Sequence, residues 1–161
     1  MANYYKGTAV RDTVAGIAVR TGAQTWPQGG PGTMNLFTVA GGNVVVTSLF
    51  GIITTIPAGD PGITLGTAPT TGTAETAGLA TTVAITEEVG TWITVVDTPT
   101  TNKPGALSIG GHAGNVQFNQ LAGFAVAPGQ ITLTAANAET GAISWYLTYW
   151  PLDDGASVTA L

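Results

Sequence analysis

Residues 131–151 read ITLTAANAETGAISWYLTYWP, two alternating runs joined by the turn-forming NAETG. Successive side chains of a strand point to opposite faces. The second run therefore places Ile143, Trp145, Leu147 and Tyr149 on one face and Ser144, Tyr146, Thr148 and Trp150 on the other. The spacing predicts a hairpin whose first strand turns Ile131 and Leu133 inward and Thr132 and Thr134 outward. The first face of the second strand reads as core. Its other face is too mixed for a second core and too aromatic for free solvent, so Tyr146 and Trp150 are expected at or near a subunit contact.

The same grammar extends across the chain from Leu36, as short runs rich in Val, Ile, Thr and aromatics separated by Gly, Pro, Asn and Asp. The expected strands are LFTVA (36–40), NVVVTSLFGIITTI (43–56), GITLG (62–66), ATTVAIT (80–86), TWITVV (91–96), ALSIG (106–110), VQFN (116–119), FAVA (124–127), QITLTA (130–135) and AISWYLTYW (142–150). A final SVTAL adds an edge. With no long amphipathic helix and no repeat of solenoid period, the pattern predicts an all-β, antiparallel β-sandwich or jelly-roll-like domain. The run 43–56 has no polar face: Val44, Val46, Phe50 and Ile52 alternate with Val45, Leu49 and Ile53. It is expected to be central and covered on both sides, with Gly51 marking a bulge or bend at a sandwich corner. Residues 66–79, GTAPTTGTAETAGL, read as a long surface loop, and DTPTTNKPG (97–105) as a second connection carrying Lys103.

Residues 1–34 differ from the body at 35–161. They hold Lys6, Arg11 and Arg20, three of the four bases, beside the single acid Asp12, and end in the Gly/Pro-rich QTWPQGGPGTMN. This is expected to be an extended N-terminal arm and linker, in which TAVRDTVAGIAVR, apolar in both periodicities, reads as a strand or a short helix, the strand or extended segment being favoured, with a fold that depends on a partner.

A chain of 161 residues fits one domain that buries roughly 70% of its unfolded surface without a metal or disulfide staple. The absence of cysteine excludes a disulfide framework, thiolate metal sites and a cysteine nucleophile. No apolar run approaches the ~20 residues of a membrane helix, and MANYYKGTAVRDTVAG lacks the order of a signal peptide, so a soluble, unexported product is expected, with no membrane partner. A formal charge of −5 with four bases offers no basic patch for nucleic acid. Only 8% of residues are charged, against about 25% in ordinary soluble domains. Apolar and β-branched content is ample for a core, so disorder does not account for it. The surface is built of Thr, Ala, Gly and Asn, and the shortage of charge points to a surface covered by other copies or by a larger assembly, the alternative being simply a Thr-rich, weakly hydrated surface.

Catalytic signatures are absent. The lone His112, in IGGHAGN, has no second imidazole or cysteine for a metal site and no nucleophile elbow beside it, and reads as a loop residue. Glu87 and Glu88 in TEEVGT form a corner, Asp153 and Asp154 in PLDDGAS a turn, and Asp60 in GDPG another. No calcium loop occurs. GGPG and GNVVV are not phosphate loops. No enzyme activity and no cofactor are expected.

LFTVAGGNVVVTSLFGIITT near the start of the β region and PGQITLTAANAETGAISWYLTYWPLDDGASV at its end resemble structural proteins of tailed bacteriophages. They are most similar to the capsid decoration, or cement, proteins of siphoviruses infecting actinobacteria. The resemblance covers residues 36–56 and 128–158. It implies a small β protein, a homotrimer, that sits on the outer surface of the virion head after synthesis in the host cytoplasm and fastens neighbouring major capsid protein subunits. It implies an arm as well, placed here in 1–34, and no catalytic residue. The candidate subunit or capsid contacts are Lys6, Arg11, Arg20, Trp26, Tyr146 and Trp150. A different class remains open beside it: a tail-fibre or baseplate β module binding a host receptor or carbohydrate, with Trp26, Trp92, Tyr146 and Trp150 available to stack on sugars. A hydrolase would require two close acids in a cleft.

Overall fold

The computed structural model describes residues 12, 14–25, 31–83, 85–96, 106–110 and 123–161. The expected strand at 116–119 and the loop at 97–105 lie outside these residues. The described chain is all-β. Its eleven strands are β1 (Ile17–Thr25), β2 (Gly32–Ala40), β3 (Val44–Thr55), β4 (Ile63–Pro69), β5 (Glu75–Val83), β6 (Trp92–Val96), β7 (Ala106–Gly110), β8 (Phe124–Val126), β9 (Gly129–Ala135), β10 (Ala142–Pro151) and β11 (Ser157–Ala160). The helical content described is one turn ahead of β1, closed by Gly16 N–H donating to Asp12 O at 3.1 Å.

Two antiparallel sheets result. In the first, β10 lies between β1 and β3, and β3 pairs on its far side with β8 along Val44–Val46 and with β6 along Phe50–Ile52. In the second, β9 lies between β2 and β4, with β11 flanking β2 and β5 flanking β4. The sheets face one another across a shared apolar cluster, as in a β-sandwich. One side is closed through β6, β7 and a single parallel bridge from β7 to β5. On the other side Gln24 Nε2 of β1 donates to Leu161 O beyond β11 at 2.9 Å. Residues 17–25 of the segment expected to be an arm thus run as a strand of the first sheet, and residues 32–34 already belong to β2. Residues 1–11 lie outside the described residues.

Three expectations are corrected. First, β9 and β10 do not form a hairpin. Both edges of β9 are taken by β2 and β4, both edges of β10 by β1 and β3, so the six residues 136–141 arch from one sheet to the other. The arch is anchored by Ala136 and Asn137 N–H donating to Pro61 O at 2.9 and 3.1 Å, and by Asn137 Nδ2 donating to Asp60 O at 2.8 Å. The inward assignments of Ile131, Leu133, Ile143, Trp145, Leu147 and Tyr149 hold, all being buried; Thr132 and Ser144, expected outward, are buried as well. Second, residues 66–79 are not one long loop. Gly66–Pro69 finish β4, β5 begins at Glu75, and the two strands pair across a short turn.

The third correction concerns β3. Its register with β10 slips twice: Ala142 is opposite Thr55 but Ile143 opposite Ile53, so Thr54 is an extra residue at one end, and Thr148 is opposite Ser48 but Tyr149 opposite Val46, so Thr47 is another. Thr47 Oγ1 donates to Thr148 O at 3.1 Å across this bulge. One inserted residue inverts the faces beyond it. Val44 and Val46 therefore share the inner face with Leu49, Gly51 and Ile53, while Val45, Phe50 and Ile52 stay half-buried on the outer face. The irregularities are at Thr47 and Thr54 and not at Gly51, and β3 stays within one sheet.

Gly51 has a different task. It stands opposite Trp145, and a Cβ there would lie 2.7 Å from Ile143 Cγ2 and 3.2 Å from two carbons of the Trp145 ring. The missing side chain is the space the indole occupies. Trp145 is fully buried, and its backbone N–H donates at 2.9 Å to Thr21 Oγ1, which donates in turn to Gly22 O at 2.8 Å. Thr21 sits where β1 slips register between Arg20 and Ala23, so its hydroxyl supplies the acceptor that the irregular backbone does not.

Two substitutions test this packing. Gly51→Ala is expected to lower stability by about 1–3 kcal/mol through overpacking, whereas Gly22→Ala, where a Cβ meets nothing within 4 Å, stays within about 0.5 kcal/mol. Urea unfolding of the pair checks both. Thr21→Val keeps the shape but strands a buried N–H, and a loss of about 1–3 kcal/mol is expected in the same assay; a neutral result would remove the hydroxyl from the account.

Candidate functional site

The outer face of the first sheet carries a row of side chains that crosses four strands in the order β1, β10, β3, β6. The registers set it up: Arg20 is opposite Tyr146, Tyr146 opposite Phe50, and Trp92, opposite Ile52, is diagonal to Phe50. The Arg20 guanidinium carbon lies 5.3 Å from the Tyr146 ring centroid. Tyr146 and Phe50 are stacked at 4.9 Å with 4° between planes, and Phe50 and Trp92 at 4.9 Å with 15°. Each aromatic contact is worth roughly 0.5–1.5 kcal/mol beyond burial, and the cation over the ring adds about 0.5–1 kcal/mol at such a site.

This geometry decides what the row can offer. Phe50 has both faces occupied by rings, and Tyr146 is held between Phe50 and the Arg20 guanidinium. The faces are spent on one another, and the rim of the stack is what points outward. A sugar stacks on an open ring face, which the middle of this row does not present. Trp150 is different: it stands opposite Val45 and is 42% exposed, with its Nε1 close against Gly16, where a Cβ would come within 3.2 Å of it.

Along β2 and β9 the outer face of the second sheet is polar and uncharged. Thr33 and Thr134 share a hydrogen bond of 2.8 Å between hydroxyls, and Thr38 Oγ1 donates to Gln130 Oε1 at 3.0 Å. Across all eleven strands the charged residues are Arg20 and Glu75. The other described charged residues lie in the connections.

Two of the described carboxylates, Asp153 and Asp60, have structural partners. Asp153 Oδ2 accepts from the Asn43 N–H at 2.6 Å and from Asn43 Nδ2 at 2.9 Å, joining the β2–β3 turn to the β10–β11 turn. The turns meet so closely that Gly41, at φ 76°, has no room for a Cβ beside the Gly155 carbonyl. Asp60 Oδ1 accepts from Gly62 N–H at 2.8 Å and from Ile85 N–H at 3.1 Å, which makes it a tie between two loops as well as a turn former. Glu88 lies in a turn closed by Thr91 N–H to Glu88 O at 3.1 Å. Among the described residues no three acids or histidines gather as metal ligands.

Of the residues singled out from the sequence, the structure brings Arg20 and Tyr146 together and sets Trp150 apart at the end of β10. Lys6, Arg11, Trp26, Lys103 and His112 lie outside the described residues. Sequence reasoning missed that Phe50 and Trp92 complete a stack with Tyr146. Each had been visible as an aromatic in a strand, but the row exists only once β10, β3 and β6 are neighbours. Compared with known proteins, the chain matches no family model, no curated protein and no solved structure.

Proposed function

We propose that the protein is a structural virion component, a capsid decoration protein that binds the outside of a bacteriophage head and stabilises contacts between major capsid subunits. The observation that carries this reading is the near absence of charge from both sheets, whose eleven strands contribute only Arg20 and Glu75. A free monomer keeps its faces apart from other proteins with interspersed charge, and this body does not. A decoration protein works by many modest contacts whose combined avidity resists pressure from within the head. Uncharged, hydroxyl-rich and aromatic faces suit such contacts. The resemblance in residues 36–56 and 128–158 points the same way, and it favours a homotrimer of jelly-roll-like subunits. The residues before β1 extend the contact area toward neighbours.

The receptor- or carbohydrate-binding reading is weaker, because the rings of Tyr146 and Phe50 have their faces covered by Arg20 and by each other. Trp150 is the described aromatic best placed to meet a partner.

Heads lacking the protein, mixed with the purified chain and sedimented, test the reading. Saturable co-sedimentation and a raised temperature of head rupture are expected; a chain left in the supernatant refutes a capsid role. Trp150→Ala is expected to lower occupancy by about 5-fold to 30-fold, in the range of an interface anchor, while leaving the melting temperature of the free chain within about 1 °C. Retained affinity would move the contact elsewhere.

A further inference from the structure

The turn between β10 and β11 holds Asp154–Gly155, the one place in the chain where an aspartate or asparagine precedes a glycine. In such a pair the amide nitrogen of the second residue can attack the side-chain carboxyl carbon of the first, because no Cβ crowds the approach. Both residues are exposed. A Cβ on Gly155 would meet nothing within 4 Å, so no neighbour screens that side of the turn. Neither the Asp154 carboxylate nor the Gly155 N–H has a hydrogen-bond partner among the described residues. The glycine is a requirement of the turn, since its φ of 83° lies in the left-handed region that a side chain disfavours. The backbone that needs a glycine here thereby creates the reactive pair.

Other described residues of this chemistry are placed differently. Asp60 accepts from Gly62 N–H at 2.8 Å and Ile85 N–H at 3.1 Å, and Pro61 after it has no N–H. Asp153 Oδ2 is held by Asn43 at 2.6 and 2.9 Å. Asp12, Asn35, Asn43 and Asn137 precede Thr13, Leu36, Val44 and Ala138, whose side chains crowd the attack.

We propose that Asp154–Gly155 is a modification site, at which the folded chain isomerises spontaneously to isoaspartate. The Gly155 nitrogen bonds to Asp154 Cγ, the amide proton and the carboxyl hydroxyl leave as water, and a cyclic imide results. Water then adds back. Addition at Cγ, breaking its bond to nitrogen, restores the aspartate. Addition at the main-chain carbonyl carbon, breaking that carbon's bond to nitrogen, leaves Gly155 joined through the side chain and frees the α-carboxylate. Water is released and taken up again, and no oxidant or cofactor takes part.

The product has one more methylene in its main chain, and it falls inside a close junction. Ala156 N–H donates to Asp153 O at 3.1 Å across the pair, and Gly41 has no room to spare beside the Gly155 carbonyl. A longer link between Asp153 and Ala156 displaces that carbonyl and pulls on Asp153, whose carboxylate ties this turn to the β2–β3 turn. Isomerisation therefore loosens the joint between the two turns. The inference does not rest on the capsid reading, and its test uses the purified chain alone.

Ageing the folded chain in warm buffer and mapping its peptides by mass spectrometry decides it. A second form of the peptide holding residues 154 and 155 is expected, unchanged in mass, separated on the column and identified as isoaspartyl by its backbone fragments. Asp154→Glu, a surface change that leaves the fold intact, is expected to abolish it, because the longer side chain closes the ring poorly. Asp154→Asn loses ammonia to the same imide and is expected to reach the same product sooner. The isomerised fraction, purified, is expected to melt about 2–4 °C below the fresh chain. Isoaspartate at 154 that forms only in urea-unfolded chain, or an aged peptide with none, would overturn the site. An isomerised fraction that melts with the fresh chain would overturn the loosening of the joint.

Discussion

The structure depends on the pairing of Trp145 with Gly51. Trp145 is the largest fully buried side chain, and a tryptophan inside a thin two-sheet core needs a neighbour that yields volume. Gly51 yields all of it, since a Cβ there would press on Ile143 and on the indole itself. With that pair set, the register of β10 on β3 is fixed, because a slip of one residue would turn the whole inner row of β10 outward. Leu147 then meets Leu49, Ile143 meets Ile53, and Tyr149 meets Val46. Thr21 closes the third side by accepting the Trp145 N–H where β1 is irregular.

The outer face follows from the inner one. Once Trp145 and Leu147 point in, Tyr146 points out directly opposite Phe50, and the stack with Trp92 and Arg20 forms with no further instruction. The bulge at Thr47 is what makes this compatible with the lower half of β3. Without the extra residue, Val44 and Val46 would lie on the outer face with Phe50, and the inner row would be broken. A strand apolar on both faces thus serves two surfaces at once, a sealed core and a half-covered aromatic row.

Much of this was legible in the sequence, and what was not has physical causes. Alternation in 142–150 and the short runs between Gly and Pro located nearly every described strand, because side-chain period is a local property. The inner residues of β9 and β10 were legible for the same reason. The sheet partners were not. NAETG is a sound turn sequence, yet a turn does not say whether the chain returns beside itself or crosses to the facing sheet; that depends on β2 and β4 competing for the edges of β9. The phase inversion at Thr47 was hidden because Thr is at home both in a strand and in a bulge. Among the site residues, Tyr146 was legible as an anomaly on a polar face, while its partners Phe50 and Trp92 required knowledge of which strands adjoin. Asp60 and Asp153 were visible as turn formers, but their bonds to Ile85 and Asn43 cross 25 and 110 residues of chain.

The separation of most charge from the sheets governs how the fold responds to salt. Ionic strength acts on exposed charges and hardly at all on apolar packing or on hydroxyl pairs such as Thr33 with Thr134. With only Arg20 and Glu75 on strands, the fold has little electrostatic stabilisation to lose. The two faces also differ in what they ask of a partner. On the second sheet Thr33 pairs with Thr134 and Thr38 with Gln130, so these side chains can lie against water or protein without being left unpaired. The ring rims of the first sheet gain from being covered, since apolar surface removed from water contributes about 25 cal/mol per Å². A single domain thereby presents two outer faces of different character, one of hydroxyls that tolerates contact and one of aromatic rims that favours it.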